Sequence, residues 1–396
     1  MKTTAIICEF DPLHRGHEYL INEARRHGAE CVVCVMSGAF CQRGEPSAIT
    51  KHTRARSALA AGADVVLELP FPYSCASAEF FAYGAISVIG ALGCVDTLAF
   101  GCESGDADGL YEAAVRMCSA DFAAEYEKLT AMHTSMGTAA LFELCYKELY
   151  GECDVFSGAN NVLALEYMKA AYRRSLPLSY LAITRKGSGH NEINEHEPFA
   201  SASLIREKLR EGTRELTKYM PECTHEIIKK ELDRMSSPPS LKAAERAILA
   251  HFRLSADTPD TAELGGGLGN RMADAACRAH SYEELISYTK TKKYTDARLR
   301  RAIVFSMCGV KELDLHTPPS YTTLLGASKV GCSLLASCKK TRSIHIISSP
   351  SMLGELGDEF ARQRTLSQRA ESLRSLCSHE VGEHDAALRI PPVIVK

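Results

Sequence analysis

The chain of 396 residues is short of several things, and each shortage closes off a class of protein. No apolar run approaches the ~20 residues that carry a helix across a bilayer, so no membrane span is expected. Residues 1–7 lack the basic start and apolar core of a secretory leader, which makes a soluble, cytoplasmic protein the expectation. Neither charge dominates: 46 Lys and Arg stand against 49 Asp and Glu, a net charge of −3. No overall field therefore draws the protein to nucleic acid or membrane, and any such contact must come from a local patch. Low-complexity tracts are missing too, and 45% hydrophobic with 24% charged residues is ordinary globular composition. The length leads us to expect two or three domains.

Cysteine, by contrast, is plentiful, with 16 residues. Many sit inside apolar runs such as "AIICEF", "ECVVCVMS" and "LGCVDTLAF". Without a secretory signal they read as small, reduced core residues. Cys31 and Cys34 form a C-x-x-C, but in a predicted strand two residues three apart point to opposite faces. No second closely spaced Cys/His pair accompanies them, so no protein-held metal is expected.

Up to residue 212 the chain alternates apolar runs with amphipathic segments. "TTAIICEF", "ECVVCVMSG", "DVVLELPF", "VDTLAFGCE" and later "LSYLAIT" read as strands, with helices between them. Strands this apolar are buried on both faces of a parallel sheet, and regular β-α alternation predicts a doubly wound, Rossmann-like α/β domain over 1–212. Residues 107–150 read as a helical insertion or lid. From 213 to 396 the strand signal fades into a mainly helical region, relieved by one short strand, "SIHIISSP". "GGGLG" at 265–269 follows no strand and reads as a loop before a helix rather than a nucleotide loop.

Ligands of such sheets gather at the carboxyl ends of the strands. That places "FDPLHRGHEYL", residues 10–20, at the favoured edge. Pro12 helps to stop the strand. The following helix begins near His14 to His17, and its free N–H groups and dipole favour an anion. His14 and His17, three apart on a first helical turn, can face one ligand. Gly16 leaves room for a close backbone approach by a nucleotide. The bland reading is two exposed histidines at a helix start.

"DPLHRGH" resembles the H-x-G-H motif of the nucleotidylyltransferase superfamily. "MSGAFCQRGEPSAITKHTRARSALAAGADVVLELP", "SAEFFAYGAISVIGALGCVDTLAFGCESGD", "GANNVLALEYMKA" and "LAITRKGSGHNE" resemble one subgroup, the tRNA(Met) cytidine acetate ligases. The resemblance covers nearly the whole chain. It implies activation of acetate with ATP to acetyl-adenylate, magnesium accompanying the ATP, and transfer of acetyl to N4 of the wobble cytidine of elongator tRNA(Met). It also implies an ATP site made of Ile7, Cys8, Glu9, Phe10, Asp11, Pro12, Leu13, His14, Arg15, Gly16, His17, Glu18, Tyr19 and Leu20, with Gly101, Asn160 and Arg185. His14 and His17 are the implied catalytic pair. Where the family has Asn-Pro-Phe-His this chain has Asp11, Pro12, Leu13 and His14, and Asp11 either weakens a phosphate contact or faces away from it.

Plain structural readings stand beside these. Gly101 reads equally as a strand-end turn, Asn160 as a helix N-cap and Arg185 as a solvated charge. "QRGEP" at 42–46 with Lys51, Arg54 and Arg56 could meet phosphate or RNA, though Arg54 and Arg56 read better as a solvated helix face. Ser201 or Ser203 could cap a helix or offer a hydroxyl to phosphate, with Arg206 nearby. The segment "SYTKTKKYTDARLRRA" carries Lys290, Lys292, Lys293, Arg298, Arg300 and Arg301 against a single acid, Asp296, with Tyr288 and Tyr294 interleaved. Basic groups bind phosphates and aromatic faces stack on unpaired bases, so this segment is the candidate tRNA surface; its bland reading is a solvated helix. Two rival functions stay open: another nucleotidylyltransferase that builds a small cofactor or dinucleotide, and an RNA-binding protein with a decayed enzyme core.

Overall fold

The computed structural model describes residues 1–134, 136–185, 201–213, 215–254, 260–383 and 386–395. The first strands and helices alternate as β1 (Thr3–Cys8), α1 (Arg15–Arg26), β2 (Cys31–Ser37), α2 (Lys51–Ala60), β3 (Val65–Leu69), α3 (Ala78–Leu92) and β4 (Thr97–Cys102). Three helices follow, α4 (Ala107–Arg116), α5 (Ala120–Met132) and α6 (Thr138–Tyr150), before α7 (Ala159–Arg173) and β5 (Ser179–Thr184). β1 to β5 are parallel, in the order β5-β4-β1-β2-β3, with Ile7 opposite Val35 and Cys102 opposite Thr184.

The apolar runs are explained by burial on both sides. Alternate residues of β1 to β3 enter two different cores. Ala5, Val33 and Val65 pack with α3, α7 and the α4–α6 helices, while Ile6, Cys34 and Val66 pack against α1 and α2. Cys31 and Cys34 fall into opposite cores for this reason. All sixteen cysteines are free thiols.

Beyond residue 200 the chain forms α8 (Ala202–Arg210), α9 (Glu222–Leu232), α10 (Glu245–Leu254), α11 (Leu268–Arg278), α12 (Tyr282–Thr289), α13 (Asp296–Cys308) and α14 (Glu312–His316). It then returns to the sheet. β6 (Tyr321–Ala327) runs antiparallel along the free edge of β3, a strand that "YTTLLGA" did not announce. After α15 (Lys329–Ser337) comes β7 (His345–Ile347), parallel to β6. After α16 (Pro350–Glu355) and α17 (Ala361–Leu376) comes β8 (Val393–Ile394), which also pairs with β6. The carboxyl region is thus mainly helical; α10 to α13 and α17 share a core with Phe40, Phe71 and Cys75 of the amino-terminal part, and the region also extends the amino-terminal sheet.

Candidate active site

The turn between β1 and α1 is built by its own histidines. His14 is the N-cap of α1, in an extended conformation. Its Nδ1 accepts the Gly16 N–H at 3.1 Å, and the Nδ1 of His17 accepts the His14 N–H at 3.3 Å. Two orphan helix-end donors are thereby satisfied by imidazoles, in the manner of a capping box. The rings stack with centroids 3.6 Å apart and planes 21° apart. Gly16 is needed by this arrangement itself, since a Cβ there would stand 3.0 Å from His14 Cε1.

Both rings are neutral. Burial, with the positive charges of Arg185 and Arg206 behind it, pushes His14 down to about 3. Burial and then His14 itself hold His17 well below the usual imidazole range. A neutral ring whose Nδ1 accepts carries its proton on Nε2. The turn therefore offers two Nε2–H donors at the edge of the parallel sheet.

These rings line a cavity of about 500 Å³. From the implied ATP site, Ile7, Cys8, Glu9, Phe10, Asp11, His14, Gly16, His17, Tyr19, Leu20, Gly101, Asn160 and Arg185 all border it. Pro12, Leu13, Arg15 and Glu18 do not. Leu13 is fully buried in the core under α1. Arg15 turns outward to the carbonyls of Thr217 and Lys218 at 3.0 and 3.1 Å.

Asp11 is 1% exposed. Its carboxylate accepts the Ala48 and Ile49 N–H groups at 2.9 and 3.0 Å, so its charge is committed to the loop after β2. Its carbonyl accepts from Arg206 Nη1 at 2.8 Å. Arg206 also donates to Ser203 Oγ at 3.3 Å and lines the cavity with Ser201 and Ser203. Ser201 caps α8, its Oγ accepting the Leu204 N–H at 3.2 Å. Glu9 has one carboxylate oxygen on the Gln42 N–H at 2.7 Å, and burial raises its pKa.

Asn160 is not the N-cap of its helix; Gly158 is. Its Oδ1 accepts from Arg185 Nη1 at 3.2 Å, which joins the end of β5 to the start of α7. The "LAITRKGSGHNE" motif beyond Arg185 lies outside the described residues.

Several basic residues found partners that residue spacing did not reveal. Arg54, read as solvated, is fully buried. It donates to the carbonyls of Glu9 at 2.7 Å and Ile49 at 3.0 Å and to Ser37 Oγ at 3.2 Å, so it braces the floor of the site. Lys51 is buried between Glu68 and Glu371, at 2.8 and 2.7 Å. Burial alone would lower its pKa, but the two carboxylates outweigh it and raise it. Arg56 is exposed.

The basic carboxyl segment divides. Arg301 and Arg298 pair with Glu263, at 2.6 and 3.3 Å, and Arg300 donates to the Arg43 carbonyl at 3.0 Å. Tyr294 is buried and its hydroxyl donates to the Gly266 carbonyl at 2.7 Å. Lys290, Lys292, Lys293 and Tyr288 are exposed, Lys290 pairing with Asp296 at 2.8 Å.

Neutral imidazoles on a strand-to-helix turn, beside arginines at the carboxyl edge of a parallel sheet, define an anion-handling nucleotide site. A model of that class, the HIGH nucleotidyl transferases, matches residues 1–387. The tRNA(Met) cytidine acetate ligase of Listeria monocytogenes serotype 4b (strain F2365) is 32% identical over 407 residues, covering 100% of both chains. That of Thermoanaerobacter sp. (strain X514) is 31% identical over 90% of each. The crystal structure of Thermotoga maritima TmcAL bound with alpha-thio ATP shares the fold with a TM-score of 0.89 at 27% identity, over 100% of both chains. The apo form of that protein gives 0.90. The chain belongs to the tRNA(Met) cytidine acetate ligase family.

Proposed function

We propose that this protein activates acetate with ATP and transfers the acetyl group to the N4 amine of the wobble cytidine of elongator tRNA(Met). In the first step an acetate oxygen attacks the α-phosphorus and the bond to pyrophosphate breaks. In the second the cytidine amine attacks the acetyl carbon and AMP leaves with the bonding electrons. The observation that carries the first step is the stacked pair of neutral imidazoles, each with its Nδ1 occupied and its Nε2–H to give. Oriented donors of this kind stabilise charge that builds on phosphate oxygens, and their orientation costs nothing at the moment of reaction. Arg185 and Arg206 add positive charge beside them.

Magnesium would travel with the triphosphate. Among the described residues no three His, Cys, Asp or Glu side chains could hold a metal ion, and the Asp11 carboxylate is occupied by backbone N–H groups. The exposed Lys290, Lys292 and Lys293, with Tyr288 beside them, support the reading of a tRNA surface. Among the described residues no helix is long and apolar enough to cross a membrane.

Labelled acetate tests the whole reaction. With ATP and tRNA it should give acetylcytidine in the RNA, and pyrophosphate release should depend on acetate. Label that enters RNA only from acetyl-CoA would refute the ligase reading. Pyrophosphate release driven only by a mononucleotide would favour a cofactor-building transferase instead.

A further inference from the structure

The chain places an acidic side chain, Glu103, directly after β4, and the reaction described above leaves it without a role. Its Oε1 accepts from the Asn160 side-chain amide at 2.6 Å and from the Asn160 N–H at 3.3 Å, and its Oε2 accepts the Asn161 N–H at 2.8 Å. Asn161, fully buried, answers by accepting the Glu103 and Ser104 N–H groups at 2.9 and 3.3 Å. At Gly158 φ is +95°, and a Cβ there would lie 2.4 Å from the Glu103 carboxyl carbon, so the entry to α7 is shaped around this carboxylate. A carboxylate suits a helix amino terminus.

That seat decides how the Asn160 amide is turned. Nδ2 donates to Glu103, so Oδ1 faces the other way and accepts from Arg185. We propose that Glu103 is a positioning residue for ATP: it fixes the Asn160 amide, whose oxygen then holds the Arg185 guanidinium at the cavity. The inference rests on the ATP-site reading given above. Without the carboxylate only the Arg185 guanidinium orients the amide, and Nδ2 loses its acceptor. A flip would set its N–H groups against the guanidinium, donor against donor.

Calorimetric binding of α,β-methylene ATP to the full-length protein tests this. Glu103→Gln should weaken binding about 10-fold or more, the loss typical of a hydrogen bond to a charged group. Glu103→Asp keeps a charge near the helix end but is one methylene too short to reach Nδ2, so it should still unfold cooperatively in a thermal melt and yet lose affinity. The double variant Glu103→Gln, Asn160→Ala should bind no worse than Asn160→Ala alone, because residues acting through one another are not additive. Parental affinity in both Glu103 variants, or a double variant that loses the sum of the single effects, would overturn the proposal. A parent protein that fails to bind the analogue would instead overturn the ATP-site reading, and this proposal with it.

Discussion

His14 and His17 each build the helix start with Nδ1, which leaves the proton of the neutral ring on Nε2. In the proposed reaction that Nε2–H serves the ATP phosphates. His17→Ala should therefore lower acetyl-adenylate formation by a factor on the order of 10²–10³, the usual loss for one oriented donor. tRNA binding, measured by filter retention, should stay at the parental level. The burial of these rings also has a cost in acid. An unfolded His14 titrates near 6.5, whereas the folded one titrates at about 3. Between those values the unfolded chain binds a proton that the folded one refuses, so the stability contributed above pH 6.5 is lost as pH falls. His14→Asn keeps an acceptor for the Gly16 N–H, since Asn is a good N-cap. In urea unfolding between pH 7 and 4 it should lose up to about 1.4 kcal/mol per pH unit of the slope.

The loop after β2 is the element that ties the cavity to the carboxyl helices. Cys41, Gln42, Arg43 and Glu45 line the cavity, while the same loop receives Arg300 from α13. Gly44 makes the contact possible. Its φ is +77°, and a Cβ would stand 2.6 Å from the Arg301 backbone nitrogen. The obstacle is backbone within a helix, which cannot swing aside. Gly44→Ala should destabilise the protein by about 1–3 kcal/mol, the range of overpacking, and a thermal melt would show it. It should also raise the KM for ATP, because the displaced loop carries part of the cavity wall. Unchanged stability would mean that α13 is not seated against this turn.

At the scale of the whole molecule, the cavity bordered by His14 and His17 lies at the carboxyl edge of the parallel strands, and the exposed lysines lie just before α13, a helix docked on its wall. The last long helix closes the assembly, since Glu371 of α17 reaches Lys51 of α2. If Lys290, Lys292 and Lys293 meet tRNA phosphates, replacing all three by alanine should weaken tRNA binding. It should also make the log–log salt dependence shallower, because fewer counterions would be released. Adenylate formation should be spared. A triple variant that binds tRNA normally at several salt concentrations would leave these lysines as a solvated face.

Local spacing was enough for what is local. The β-α alternation, the strand-to-helix turn of "FDPLHRGH", and a serine cap at Ser201 or Ser203 were legible because each depends on residues within a few positions of one another; the structure settles the cap on Ser201. The resemblance to the acetate ligases was legible in contiguous motifs for the same reason. Tertiary structure alone decided which charges are free. Glu263 neutralises Arg298 and Arg301, Glu371 reaches Lys51, and Arg54 vanishes into the floor of the site, each through partners that are distant in sequence or are backbone carbonyls without any sequence signature. The strand "YTTLLGA" was invisible in the same way. Tyr321, Thr322 and Thr323 favour a strand, but the Leu, Gly and Ala that follow dilute the preference, and the strand exists because the edge of β3 offers it hydrogen bonds. Glu103 had no signal beyond its place at a strand end; its role follows from the amide it holds across the fold, and only folding brings that amide to it.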